Sequence, residues 1–181
     1  MGKNINIGAE QAADIVRGLK SFSRMESAEF SVHSVTKIID NVLLMLHNNY
    51  KHRIKITKAY NSTFDIECYP SKLSQVFMNL LVNAIQSIDN EGEINIATTN
   101  QNDNIVVTIK DSGAGISEEK KNRIFEPFFT TKDTGMGTGL GLSITLGILE
   151  DHHGKIELES EEGKGTTFKV TLPIVQPLVE E

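Results

Sequence analysis

Residues 111–142 read DSGAGISEEKKNRIFEPFFTTKDTGMGTGLGL, and the fold of the chain turns on how this stretch is read. It opens with Asp111, Gly113 and Gly115, passes through Phe125, Phe128 and Phe129 around Pro127, and closes on Gly135, Gly137, Gly139 and Gly141. Glycine at every second position serves no packing purpose, because each one weakens a helix or strand interior through lost contacts and added chain entropy. What such a run permits is close approach to the backbone. Exposed N–H groups leading into a helix start suit a polyphosphate, since the orphan donors and the helix dipole both favour negative charge. A nucleotide is therefore the first expectation, and an open surface loop the competing one. The stretch contains neither the P-loop G-x-x-x-x-G-K-[ST] nor the Rossmann G-x-G-x-x-G, which removes those two readings.

The order of signals along the chain says more than the glycines alone. An Asn-bearing helix with Asn79 and Asn83 comes first, then D-x-G-x-G at Asp111, Gly113 and Gly115, the aromatic hinge, the glycine run, and finally Gly163-Lys164-Gly165-Thr166. In this order they resemble the N, G1, F, G2 and G3 boxes of the ATP-binding catalytic domain of sensor histidine kinases, a family shared with the DNA gyrase, mismatch-repair and heat-shock-chaperone ATPases. The resemblance covers residues 30–175 or so. Together with the pattern of elements it implies a Bergerat-type two-layer α/β sandwich, a mixed sheet of about five strands packed on three helices, preceded by a helical stub.

The resemblance also implies a site. Asn83 ligates the magnesium ion that bridges the phosphates, a task suited to a carboxamide oxygen and a hard cation. Asp111 accepts a hydrogen bond from the adenine amino group, while Gly113, Gly115 and Ile116 bring backbone close to the base. Guanine offers an acceptor at the equivalent point, so this pairing selects adenine. Gly137, Thr138, Gly139, Leu140, Gly141 and Leu142 receive the phosphates at a helix start. Thr166 supports Asp111 through its hydroxyl. Lys132 is a candidate phosphate contact, with a solvated lid lysine as the equal alternative. The gyrase and chaperone relatives carry at position 79 a Glu that acts as general base for hydrolysis; this chain has Asn79, and an amide cannot accept that proton. Fast hydrolysis is not expected, and the γ-phosphoryl group is kept for a histidine brought from outside.

At 181 residues the chain can bury one full-sized core plus an appendage, and its net charge of −6 argues against a nucleic-acid partner. The lone Cys68 forbids an intrachain disulfide and suits a reducing cytosol. No signal peptide or long apolar run is present, so a cytoplasmic placement is expected, compatible with a membrane-anchored parent.

In residues 4–25 the apolar positions Ala12, Ile15, Leu19 and Phe22 form a narrow helical seam, which resembles the end of the second helix of a kinase dimerisation domain. The His-Glu or His-Asp motif of the phosphate-accepting helix is absent, so residues 1–28 read as a partial dimerisation domain, residues 29–175 as the ATP-binding domain and residues 176–181 as a tail. This piece alone is expected to lack autokinase activity, and phosphohistidine on it would overturn that. The expected partners are the dimerisation domain of the same, homodimeric, bacterial kinase and a response-regulator receiver.

Val35, Ile38, Ile39, Val42, Leu43 and Leu46 form an amphipathic helix capped by Ser34 or Ser31. Ile54 and Ile56, then Phe64, Ile66 and Cys68, alternate as two short half-buried strands with Asn61-Ser62 as the turn between them. The helix of residues 72–88 starts on Ser71, and a strand pair spans residues 94–109. A last helix buries Leu142, Leu146 and Leu149 and closes on His152 and His153 before Gly154, and a last strand pair follows. Two other functions compete: a serine kinase of the anti-sigma type, and a non-catalytic module gated by nucleotide.

Overall fold

The computed structural model describes residues 30–62, 64–130 and 137–176; the seam of residues 4–25 and Lys132 lie outside them. After the short strand β1 (Ser31–Ser34), helix α1 (Val35–Tyr50) begins with Ser34, not Ser31, as its cap, the Ser34 hydroxyl accepting the Lys37 N–H at 3.5 Å. All six apolar positions of its stripe are buried. Strand β2 (Ile54–Tyr60), β3 (Asp65–Cys68), helix α2 (Pro70–Ser87), β4 (Gly92–Gln101) and β5 (Asn104–Asp111) follow. The chain then forms the single-turn α3 (Glu118–Lys121), helix α4 (Gly141–Asp151), β6 (Lys155–Glu161) and β7 (Gly165–Pro173).

Five strands make one mixed sheet in the order β2-β4-β5-β7-β6, with only the β2–β4 pair parallel. Helices α1, α2 and α4 share one hydrophobic core with it, giving the two-layer α/β sandwich expected from the sequence. Within the core the sheet contributes Ile94 and Ile96 of β4, Ile105, Val107 and Ile109 of β5, and Phe168, Val170 and Leu172 of β7.

Strands β2 and β3 do not meet across a turn. β2 takes its partner from β4, while β3 pairs antiparallel with β1 in a separate two-stranded sheet. Residues 61 and 62 instead bind β4: the Asn61 N–H donates to the Thr98 carbonyl at 3.0 Å, and Ser62, nearly fully buried, exchanges hydrogen bonds with Thr98. Phe64 lies outside β3 and is exposed. Residues 174–176 are tied to β3 by hydrogen bonds. The Ile174 carbonyl accepts the Glu67 N–H at 3.1 Å and the Gln176 side chain donates to the Glu67 carbonyl at 3.1 Å, so the segment runs on β3.

Helix α2 begins two residues earlier than a cap at Ser71 suggested. Pro70 occupies the first turn, where its missing N–H costs nothing, and Tyr69 is the cap residue. At the other end α2 has no basic residue of its own, and Arg53 supplies the charge. Its guanidinium donates to the Ile85 carbonyl at 2.8 Å and to the Ile88 carbonyl, satisfying acceptors the helix leaves open. Arg53→Ala is expected to lower stability by about 1.5–3 kcal/mol, the usual worth of hydrogen bonds to a charged group. Urea unfolding with an unchanged m-value would check it.

Candidate nucleotide site

Asp111 ends the inward-facing row Ile105, Val107, Ile109 of β5, so the pleat that buries three apolar side chains also buries a carboxyl, 3% exposed. An uncompensated carboxylate there would be costly. Three donors meet it on one oxygen: Oδ1 accepts the Gly113 N–H at 2.8 Å, the Ser87 hydroxyl at 3.1 Å and the Thr166 N–H at 3.3 Å. That leaves Oδ2 as the acceptor for a donor in the adjoining cavity. Burial pushes the Asp111 carboxyl above the ordinary carboxylate range, and these hydrogen bonds pull the other way.

Thr166 supports Asp111 with its backbone, not with the hydroxyl that the sequence resemblance assigned. The Thr166 hydroxyl lies 2.9 Å from the Ser160 hydroxyl, which also accepts the Ile116 N–H at 2.9 Å. Ser160 thus pins the D-x-G-x-G loop to the β6–β7 turn, and the Gly163 N–H seals the contact by donating to the Ala114 carbonyl at 2.7 Å.

On α2, Asn79, Asn83 and Ser87 recur every four residues and therefore share one face. Asn79 spends its amide nitrogen on α4, donating to the Gly141 carbonyl at 2.8 Å and to the Thr145 hydroxyl at 3.2 Å. This contact explains why Thr145 is buried on α4 while Leu142 and Leu146 are only half-buried: the packed positions are Thr145, Ile148 and Leu149, and the Thr145 hydroxyl is satisfied from both helices.

Helix α4 starts without a side-chain cap. Leu140 occupies the cap position with no capping hydrogen bond, and the first turn carries no acid. The first N–H groups of an 11-residue helix are thus left for a ligand. The approach to this end is set by Gly139, whose φ of +66° turns the chain against Phe128; a Cβ there would lie 2.4 Å from the Phe128 carbonyl carbon. Phe128 itself is exposed and has φ +66°, a strained conformation for an aromatic residue.

Asp111 and the start of α4 stand on the wall of one cavity of about 560 Å³, within the usual size range of ligand pockets. Asn79, Asn83, Asp111, Gly115, Ile116, Gly137, Thr138, Gly139, Gly141, Leu142 and Thr166 all line it. Gly113 and Leu140 are not on the wall: Gly113 backs Asp111, and the Leu140 N–H is tied to the Thr138 hydroxyl at 3.4 Å. The wall also includes Ser87, Val82, Ile124, Phe129 and Phe168, a polar hook and an apolar lining for a flat ring. Ser87 was legible in principle, one helical turn beyond Asn83. Among the described residues no group of three or more His, Cys, Asp or Glu could hold a metal ion.

Residues 68–176 match a family model described as histidine kinase-, DNA gyrase B- and HSP90-like ATPase. Sporulation kinase E of Bacillus subtilis (strain 168) is 48% identical over 113 residues, which cover 61% of this chain and 15% of that protein. Sensor kinase CckA of Brucella abortus (strain 2308) is 34% identical over an alignment of 194 residues, covering 98% of this chain and 20% of that protein. The catalytic domain of the histidine kinase ThkA, in a nucleotide-free form, superposes with a TM-score of 0.73 at 35% identity, over 81% of this chain and 97% of that one. The chain spans only 15% and 20% of the length of the two curated relatives. Among the described residues no helix is long and apolar enough to cross a membrane.

Proposed function

The chain belongs to the family of histidine kinase-, DNA gyrase B- and HSP90-like ATPases, and from that premise we propose that it is the ATP-binding catalytic domain of a two-component sensor histidine kinase. The observation that carries the reading is the pairing of Asp111 with the uncapped start of α4 on one cavity wall. Asp111 takes the adenine amino group on Oδ2, the D-x-G-x-G backbone lies along the base, and the N–H groups of residues 139, 141 and 142 take the phosphates.

In the reaction, an imidazole nitrogen of a histidine on the dimerisation domain forms a bond to the γ-phosphorus as the bond to the β,γ-bridging oxygen breaks and ADP leaves. The phosphoryl group then passes to a receiver-domain aspartate. Phosphoryl transfer asks a protein mainly for positioning and charge stabilisation, so a wall without a carboxylate at position 79 is sufficient. Asn79 serves by seating Gly141, and its amide offers an attacking water no base. Asn83 would hold magnesium, which when bound offsets charge on the phosphates. Lys132 is proposed as a further phosphate contact. The parent is proposed to be a homodimeric bacterial kinase working in the cytoplasm, free of nucleic acid, with its own dimerisation domain and a response regulator as partners; a membrane anchor elsewhere in the parent fits this scheme.

Calorimetry with a non-hydrolysable ATP analogue, with and without magnesium, tests the site. Wild type is expected to bind more tightly with the ion. Asn83→Ala should lose roughly 10–100-fold of affinity in magnesium, at least the cost of disturbing a metal's outer partners, and little without it. A magnesium effect of full size in the variant would remove the assigned ligand, and absence of binding by wild type would remove the function.

A further inference from the structure

We propose that His152 is a positioning residue for the nucleotide site, clamping the far ends of α2 and α4 so that the phosphate-facing start of α4 stays seated on Asn79. The inference rests on the ATP site proposed above. Helices α2 and α4 pack antiparallel, with a polar tie at each end. At the site end the tie is Asn79 to Gly141 and Thr145. At the opposite end His152 Nε2 accepts the Tyr69 N–H at 3.0 Å, and His152 Nδ1 meets the Ile148 carbonyl at 2.7 Å.

Chemistry fixes the protonation state of this clamp. A backbone N–H can only donate and a carbonyl can only accept, so Nε2 must be bare and Nδ1 must carry the proton. The Tyr69 N–H sits at the cap position of α2 and has no partner within its own helix, and His152 is 0% exposed, out of reach of replacement water. Protonation at Nε2 would set two donors against each other. The charged and titratable groups around the ring are Lys72, which pairs with Asp151 at 2.8 Å and lies over the Tyr69 ring, together with Asp151 and His153.

Burial, first, with Lys72 and His153 behind it, lowers the His152 pKa below the ordinary imidazole value; the Ile148 carbonyl and Asp151 oppose this. A lowered value means that the neutral clamp contributes stability above about pH 6.5 and loses it as pH falls through the folded-state value. The 11 residues of α4 span about 16 Å as one rigid element, so release at His152 is felt at Gly141.

The test compares wild type, His152→Gln and His152→Leu by ATP calorimetry from about pH 8 to about pH 5, and by amide hydrogen exchange without nucleotide. Glutamine can reach the Tyr69 N–H with its oxygen and does not titrate. Wild type should lose about 3–10-fold more affinity on acidification than His152→Gln, the worth of one hydrogen bond; titration of ATP and of Asp111 is common to both and cancels. His152→Leu should bind about 3–10-fold more weakly at every pH and exchange faster at residues 141–145. Equal acid profiles for wild type and His152→Gln would overturn the proposal, and so would a leucine variant whose only change is a lower melting temperature. If wild type binds no ATP, the functional reading falls, yet exchange still decides: faster exchange at residues 141–145 supports the clamp, and changes confined to residues 69–73 and 148–154 overturn it. Should the leucine variant fail to fold, the glutamine comparison decides alone.

Discussion

Asp111→Asn is expected to weaken ATP binding by roughly 10–100-fold, the worth of a hydrogen bond to a charged group, while leaving the protein as stable as before or more stable. The two effects have opposite signs for one reason. The carboxyl is nearly fully buried and its pKa is raised, so its charged form is the one that its surroundings disfavour. A raised carboxyl contributes stability that is present below about pH 3.9 and lost as pH rises through the folded-state value. The amide removes that loss and keeps an oxygen for the Gly113 and Thr166 N–H groups. The advantage of the variant should therefore grow from about pH 4 upward, as thermal melts across pH would record. The variant should also discriminate less against GTP, because an amide N–H facing the cavity can donate to the guanine carbonyl that a carboxylate repels. A variant that bound ATP normally, or that bound poorly only because it had unfolded, would remove Asp111 from the recognition of the base.

The route by which Asp111 becomes legible differs from the route by which its neighbours do. Ile105, Val107, Ile109 and Asp111 alternate strictly, so the strand period alone turns the carboxyl toward the core. Likewise the four-residue spacing of Asn79 and Asn83 fixes a face of α2, and a helix period extends it to Ser87. What period cannot supply is the identity of a distant partner. β2 pairs in parallel with β4, which follows only after β3 and α2, and nothing in Ile54 or Ile56 distinguishes that pairing from a hairpin with residues 64–68. The same holds for polar burial. Helix period sets Thr145 on the face of Leu142 and Leu149, but the group that satisfies its buried hydroxyl, the Asn79 amide, comes from another helix. Thr166 lies beside Asp111, but the atom that meets the carboxyl is its N–H, which every residue type except proline carries and which side-chain chemistry therefore cannot reveal.

Histidines 152 and 153 show the same limit at a helix end. Both close α4 before Gly154, as their position suggests, but the left-handed residue is His153, with φ +50°, and not the glycine. The Gly154 N–H donates to the Leu149 carbonyl at 2.8 Å and the His153 N–H to the Glu150 carbonyl at 2.9 Å, the two bonds of a Schellman ending. Gly154 is needed for space instead: a Cβ on it would lie 2.7 Å from the Thr171 carbonyl oxygen of β7.

Gly165→Ala is expected to cost about 3–5 kcal/mol and to abolish nucleotide binding, the sum of an overpacking penalty and a strained backbone. Its φ is +100°, and a Cβ would lie 2.0 Å from the Asp111 carbonyl oxygen and 3.1 Å from the Ser112 Cα. These are backbone atoms of Asp111, the last residue of β5, and of Ser112 just beyond it, so neither can swing aside as a side chain would. Any relief must separate β7 from β5 where the Thr166 N–H reaches Asp111, and must also disturb the Ser160 hydroxyl, which donates to the Gly165 carbonyl at 2.9 Å. Gly163→Ala provides the control. Its φ of +80° makes alanine similarly unwelcome, but nothing lies within 4 Å of the added carbon. That variant should lose only about 1–2 kcal/mol, the price of a left-handed L-residue, and keep its nucleotide site. Urea midpoints of the two variants, with ATP titrations of each, separate space from conformation. Equal midpoints would show that the glycine-165 turn does not press on β5, and the close backbone contact that holds Asp111 in register would have to be abandoned.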